Sequence, residues 1–323
     1  MATLPVNGPR SPLLLLSLAV ACVSHGCGGP AGGTLPASTE GAPLDTAALY
    51  LGQPRPGREP VLFAEGIVST ADGMYGTVVF SPAGDEAFWT KDEHPGLFFS
   101  RLTGGRWTAP EEFPFPAGYR LNSPFFSHDG RRLYFLAASR GPDGMDRDDR
   151  IWVADRLENG WGEPRELDPR VNSVSKHFQF SLDREGNVFF GGDGADIYIA
   201  EWRDGAYLAP ARLPAPVNGA APEMSPQISP DGTLLLFDRF FDSPPWVRIM
   251  ASFRRPGGEW SAPVDLSPYT RSEGNDSGAR LSPDGQYLFF QSAREGSDPN
   301  RSVYWMEAAF LDSLRTVLIP PAG

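Results

Sequence analysis

From about residue 60 onward the chain is built of short apolar runs separated by turns rich in glycine and proline. Runs this short, alternating with polar positions, predict strands rather than helices. They come in pairs around a turn of one kind. Leu281 leads into Ser282-Pro283-Asp284-Gly285 and on to Tyr287-Leu288-Phe289-Phe290. The arrangement returns at Ser229-Pro230-Asp231-Gly232, at Ser127-His128-Asp129-Gly130 and, in worn form, at Ser81-Pro82-Ala83-Gly84. A fifth copy reads Ser181-Leu182-Asp183-Arg184-Glu185-Gly186, with two residues inserted. Serine followed by proline favours a type I turn, and aspartate suits its third place. Glycine then takes the left-handed position that closes a bulged hairpin.

The turns start roughly 50 residues apart, and each unit continues in the same order. A third strand follows, such as Arg150–Ala154 or Asp196–Ala200, then a hairpin at Gly104-Gly105, Asn159-Gly160, Asp204-Gly205 or Gly257-Gly258. The fourth strand carries an aromatic and a proline three residues apart: Trp107 and Pro110, Trp161 and Pro164, Tyr207 and Pro210, Trp260 and Pro263. Proline is tolerated on an outermost strand, which need not donate every amide, and the aromatics read as packing. Four strands per unit define a propeller blade. The last unit breaks the order. After Val303-Tyr304-Trp305-Met306 the spacing of Phe310, Leu311, Leu314 and Leu318 predicts a helix, and no fourth strand follows. Arg58-Glu59-Pro60-Val61-Leu62-Phe63 is expected to supply it, so that an N-terminal strand closes the ring. The fold class is therefore all-β, one propeller of four-stranded blades, with five blades favoured. Six remain open if the N-terminal segment builds more than one strand.

Composition fits this reading. With 41% hydrophobic residues and eight tryptophans, the 323-residue chain can bury a large core. A formal charge of −12 argues against nucleic acid or anionic lipid as the main partner. The two cysteines, Cys22 and Cys27, both precede the repeats, so no disulfide ties the body together.

The start of the chain has a different character. Arg10 precedes an apolar run, Leu13 to Ala21, too short to span a bilayer but suited to a secretory signal. Leu18-Ala19-Val20-Ala21-Cys22 resembles the lipobox of bacterial lipoproteins. Residues 1–21 are read as a lipoprotein signal peptide with Cys22 as the lipidated residue. Cys27 is the second choice, and ordinary cleavage to a secreted protein is the alternative. Residues 22–45, dominated by Gly, Pro, Ala, Ser and Thr, read as a flexible tether, and 46–320 as the propeller.

The Ser-Pro-Asp-Gly turns, together with Tyr50-Leu51-Gly52-Gln53, Phe63-Ala64-Glu65-Gly66-Ile67-Val68-Ser69 and Tyr304-Trp305, resemble the WD40-like, TolB-type propeller repeat proteins of the bacterial envelope. The resemblance covers about residues 50 to 315. It implies the propeller fold and a bacterial envelope protein; together with the lipobox-like Leu18–Cys22, the expectation is an exported, lipid-anchored protein facing the periplasm, with the outer membrane as the expected attachment. It implies no activity, because propellers host very different functions.

Propeller ligands dock at the mouth of the central channel, so the innermost strands carry the candidate site. Counting back from each turn serine, the first residue is apolar: Phe80, Phe126, Phe180, Ile228 and Leu281. Polar residues appear at the second place (Gln179, Gln227, Arg280) and at the fourth (Thr77, Ser123, His177, Ser225). Tyr75, Asn122, Lys176, Glu223 and Asp276 fall just beyond, at an expected rim. The ligand-binding set read from this pattern is Asn122, His177, Gln179, Glu223, Gln227 and Arg280. Its expected partner is an envelope protein or a glycan, with the membrane reached only through the lipid. Glu223 and Asp276, on adjacent blades, form the runner-up: an acid/base pair for glycan cleavage, which needs two carboxylates about 5–10 Å apart. A purely structural envelope protein is the third reading. No metal or cofactor is expected. There is no cysteine cluster or His-x-x-x-His pair, and the acidic stretch Asp143–Asp149 lacks EF-hand spacing and reads as a solvated loop. Neither a Gly-x-Ser-x-Gly elbow nor a phosphate-binding loop is present.

Overall fold

The repeated turn is held by its own side chains. In a computed structural model describing residues 48–74, 76–174, 179–294 and 302–320, Gly84, Gly130, Gly232 and Gly285 all lie at positive φ, between 69° and 75°. Each donates its amide to the carbonyl of the turn serine at 2.8–2.9 Å. The serine hydroxyl accepts the amide that opens the second strand: Glu86 at 3.0 Å, Arg132, Leu234 and Tyr287 at 2.9 Å. In three turns it also donates to the turn aspartate, Asp129, Asp231 or Asp284, at 2.5–2.6 Å. Serine and aspartate recur because one oxygen satisfies the strand amide and the other fixes that oxygen.

The third unit departs from the expected count. Gly186 closes on Asp183, not Ser181, at 3.1 Å, and the Asp183 carboxylate accepts the Asn187 amide at 3.0 Å. Aspartate takes the hydroxyl's place, and nothing is inserted. Ser181 and Leu182 are strand residues, and Ser181 Oγ instead donates to Pro226 O at 2.9 Å and accepts the Ile228 amide at 2.8 Å. A shift of two residues keeps each side chain on its face but moves it along the strand.

Five four-stranded blades follow in chain order. Blade 1 is Val79–Phe80, Glu86–Thr90, Leu97–Thr103 and Glu111–Glu112. Blade 2 is Tyr119–Phe126, Arg132–Arg140, Asp146–Leu157 and Arg165–Glu166. Blade 3 is Phe180–Leu182, Val188–Gly191, Ile197–Ala200 and Ala211–Arg212. Blade 4 is Glu223–Ile228, Leu234–Phe240, Val247–Phe253 and Val264–Asp265. Blade 5 is Asp276–Leu281, Tyr287–Ser292 and Ser302–Glu307, with Val61–Leu62 outermost, pairing Val61 with Trp305 and Leu62 with Tyr304. Pro110, Pro164, Pro210 and Pro263 each stand just ahead of an outermost strand, where no ladder amide is required.

Five apolar clusters occupy the five contacts between neighbouring blades. Successive residues of an innermost strand serve opposite contacts. Phe125 packs on Phe180 of blade 3 at 6.2 Å between ring centres, and Phe126 on Phe88 of blade 1 at 5.5 Å. A blade stands edge-on to the channel, so alternation divides its residues between two neighbours and not between core and channel. That corrects the simple face count made from the sequence.

Between blades 5 and 1 lie the N-terminal stretches Tyr50–Gln53 and Phe63–Ser69. Tyr50 meets Phe80 at 5.1 Å, and Phe63 meets both Phe289 and Trp305 at 5.1 Å. The Phe63 amide donates to Val303 O at 2.8 Å, and the Val303 amide to Ser69 Oγ at 3.1 Å. The helix Phe310–Leu318 sets Leu311, Leu314 and Leu318 against the cluster between blades 4 and 5, with Phe310 stacked on Tyr269 at 4.6 Å. Pro43–Gly323 forms one compact unit. The signal segment, the whole tether with Cys22 and Cys27, Tyr75, Lys176 and His177 lie outside the described residues.

Candidate functional site

Three innermost strands carry a bulge at the same place, between Asn122 and Phe125, Met224 and Gln227, and Ser277 and Arg280. The bulge residues Ser123, Ser225 and Gly278 have φ of 50°, 55° and 64°. Gln179, four residues ahead of Asp183, has φ of 93°. Serine or glutamine in this region costs on the order of 1–3 kcal/mol each. A bulge bends the strand and re-aims the side chains beyond it. Beyond two of these bulges stand Gln227 and Arg280.

Arg280 is 4% exposed and ties three blades together. Its Nη1 donates to Gln227 Oε1 at 2.8 Å and its Nη2 to Phe180 O at 2.9 Å, with the Phe125 ring 5.9 Å away. Burial lowers its pKa to about 10, only partly opposed by the charge of Asp238. The Asp238 carboxylate accepts the Gly278 amide at 3.0 and 3.1 Å. Gln227 and Arg280 line a cavity of about 140 Å³ at the turn end of the channel. The second residues of all five turns, Pro82, His128, Arg184, Pro230 and Pro283, surround it. His128 Nε2 lies 2.8 Å from Leu182 O, a bond that requires the proton on Nε2. A larger cleft of about 780 Å³ shares Arg184, Pro230 and Leu281 with this mouth and continues between blades 4 and 5 to Asp312 and Arg315.

The predicted residues divide into groups. Gln227 and Arg280 meet directly at the mouth. Gln179 and Asn122 are buried on the innermost strands; their side-chain oxygens, with Thr77 Oγ1 and Ser123 Oγ, have no hydrogen-bond partner among the described residues. The Gln179 amide sits where a Cβ on Gly278 would come within 3.1 Å of it, so a larger residue there would require the Gln179 side chain to shift. Glu223 and Asp276 lie at the far end of their strands. Glu223 is fully buried, accepting Arg239 Nε at 2.8 Å and the Gly219 amide at 2.9 Å. Asp276 is 3% exposed and accepts Ser292 Oγ at 2.6 Å; burial raises its pKa. Neither carboxylate lines the turn-end cavity.

Sequence reasoning passes over His128 and Arg184 as site residues. The signal is available: both occupy a turn slot that is proline in the other three blades. It also passes over Asn172 and Asn218, which follow Leu167 and Leu213 at equal spacing. Asn218 accepts the Ile197 amide at 2.8 Å and donates to Leu213 O at 2.8 Å, and Asn172 accepts the Ile151 amide at 2.9 Å. In the Asp143–Asp149 stretch, Asp143 pairs with Arg147 at 2.5 Å and Asp146 with Arg120 at 2.9 Å. Burial, then the charge of Asp146, raises Asp149 to a pKa of about 7. Among the described residues no cluster of three metal-ligating side chains forms, and no helix is long and apolar enough to cross a membrane.

This architecture defines a five-bladed β-propeller. No family model matches the sequence, and no curated protein does. Solved structures resemble the fold. TolB from Acinetobacter baumannii is 15% identical with a TM-score of 0.46, over 72% of this chain and 56% of that one. The chain thus spans little more than half the length of that protein. The nidogen/laminin complex is 14% identical with a TM-score of 0.44, over 72% of this chain and 78% of the matched one. The β-propeller domain of Myceliophteria thermophila Cps50 (Swd1) is 12% identical with a TM-score of 0.40, over 73% and 72%.

Proposed function

We propose that this protein is a binding platform, and that a protein or glycan ligand docks at the turn-end mouth of its channel. The observation that carries the reading is the mouth itself: residues from all five blades converge on one cavity, with a buried arginine and glutamine in its wall. Asn122 and Gln179, deeper on the innermost strands, would contact whatever extends inward. Glu223 has no place in this ligand set, since both of its oxygens are engaged in a closed contact. We further propose that the chain is an exported lipoprotein, held through Cys22 and facing the periplasm, so that the body meets its partner in the envelope.

Two measurements test these points separately. A thermal-shift screen against peptidoglycan fragments and an oligosaccharide panel, with crosslinking in the envelope for a protein partner, should yield a ligand. A ligand at 100 times its Kd stabilises by about 2.7 kcal/mol. That gain should shrink in Gln227→Ala; binding untouched by Gln227→Ala would move the site elsewhere. Radiolabelled palmitate should enter the protein and be lost in Cys22→Ala; loss in Cys27→Ala alone would shift the anchor.

A further inference from the structure

We infer that the turn-end mouth takes a carboxylate carried on a short apolar stem, of the kind presented by the C-terminal residue of a protein partner. The inference deepens the binding reading above and rests on it.

Charge is the first argument. The chain holds 40 acidic and 28 basic residues, yet among the described residues the mouth is lined by Arg184 and Arg280, beside the His128 imidazole, and by no aspartate or glutamate. Such a local reversal selects an anion from an otherwise acidic surface. The state of Arg280 is the second. Its hydrogen-bond acceptors, Gln227 Oε1, Pro226 O and Phe180 O, are all neutral, and no carboxylate lies within ion-pair distance of it among the described residues. The charge of Asp238 offsets only part of the desolvation penalty of this buried cation, and an incoming anion bonded to it directly would relieve more. Burial depresses its basicity for the same reason, and even so it stays protonated at neutral pH. Third, Arg184 is exposed where the mouth joins the larger cleft, and its guanidinium has no ion pair or hydrogen bond among the described residues. It is free to close on the anion that Arg280 meets from within.

The remaining walls choose among anions. Phe80, Phe125, Phe126 and Leu281 line the same cavity, whose volume of about 140 Å³ has room for one small side chain. Aromatic and aliphatic walls favour an apolar stem. A phosphate, more strongly hydrated and without a stem, would lose more water than these walls return. The bidentate geometry of guanidinium groups suits a carboxylate.

The experiment titrates the full-length protein with the tripeptide Ala-Ala-Leu, as free acid and as C-terminal amide, beside a neutral oligosaccharide panel. The free acid should bind at least about tenfold more tightly than the amide, as expected for losing a hydrogen bond to a charged group. Arg280→Met should abolish that preference. Because Arg280 also bridges blades, Arg184→Ala is the second variant. It should weaken the acid several-fold with an unchanged Tm. Equal affinity of acid and amide overturns the carboxylate inference while leaving the mouth a binding site. The carboxylate inference falls in the same way if both variants bind the acid as the parent does. Binding of a neutral saccharide that is lost in Gln227→Ala, with no binding of the acid, keeps the platform and rejects the carboxylate. If nothing binds in any arm, both readings fall.

Discussion

Glu223 offers a sharp test of how this propeller uses buried charge. Its side chain is fully inaccessible, bonded to Arg239 Nε at 2.8 Å and to the Gly219 amide at 2.9 Å. Glu223→Ala strands both donors. Breaking a buried pair by removing one partner costs about 3–5 kcal/mol. Two details place this case at the lower end. The Arg239 side chain keeps 19% exposure, and its Nη2 still donates to Val217 O at 3.0 Å. We therefore expect a loss of about 3 kcal/mol, or roughly 6–12 °C in Tm for a domain of this size. Glu223→Gln retains an oxygen that can accept from one donor and loses the charge, so about half of that loss is expected. Urea unfolding of the parent, both variants, Arg239→Met and the double variant supplies the numbers, with a coupling between the two sites of about 1–3 kcal/mol. An alanine variant within about 0.5 kcal/mol of the parent, the range of an ordinary surface change, would refute the structural role. It would also return Glu223 to consideration as a reactive carboxylate.

Three further outcomes are expected. Deleting residues 58–69 removes the fully buried Phe63 and Val68 and the outer strand of blade 5, so the body should unfold or aggregate; a truncated protein that melts like the parent would show that the N-terminal strand does not hold the ring. Asn218→Ala leaves the Ile197 amide unpaired in the core and should lower the urea-derived stability by about 2–3 kcal/mol, more than Asn172→Ala, whose bond to Leu167 O is 3.4 Å against 2.8 Å. Asp149 has a folded pKa raised to about 7 from a reference of 3.8, so the folded state binds the extra proton. Its contribution to stability is fully present below about pH 4, falls at up to about 1.4 kcal/mol per unit as pH rises, and is gone above 7. Asp149→Asn should remove that slope from a series of melts, and an unchanged slope would reject the assignment.

The fold is legible because each blade repeats a local requirement. Serine, aspartate and glycine are fixed by bonds within a few residues, so the pattern survives without knowledge of the rest. Site geometry depends on what other blades bring. Glu223 reads as a rim carboxylate until Arg239, sixteen residues away across a hairpin, is seen to cover it. Gln179 reads as two residues nearer its turn than it stands, because an aspartate replacing serine looks like an insertion when only the motif letters are counted. The bulges that re-aim Gln227 and Arg280 leave a faint trace, the Ser-Pro pairs Ser123-Pro124 and Ser225-Pro226, and the third bulge has glycine instead. His128 and Arg184 escape notice as part of the channel mouth because they sit in a slot that turn rules assign to proline, where they look like tolerated exceptions.

The way the chain enters its last blade has a mechanical consequence. Val61–Leu62 pairs over only two residues, a seam that would peel readily if pulled directly. Upstream of it, Tyr50 is wedged among Phe80, Tyr287 and Trp305, with its hydroxyl on Asp284 at 3.0 Å and Arg55 stacked 4.4 Å above its ring. Any tension arriving from residues before 48 meets the bond from Trp107 Nε1 to Ala48 O at 2.7 Å and then this wedge. Tyr50, with the bonded Ala48 and the buried Leu51 on either side, thus acts as a strain relief, like the clamp on a cable, ahead of the two-residue seam.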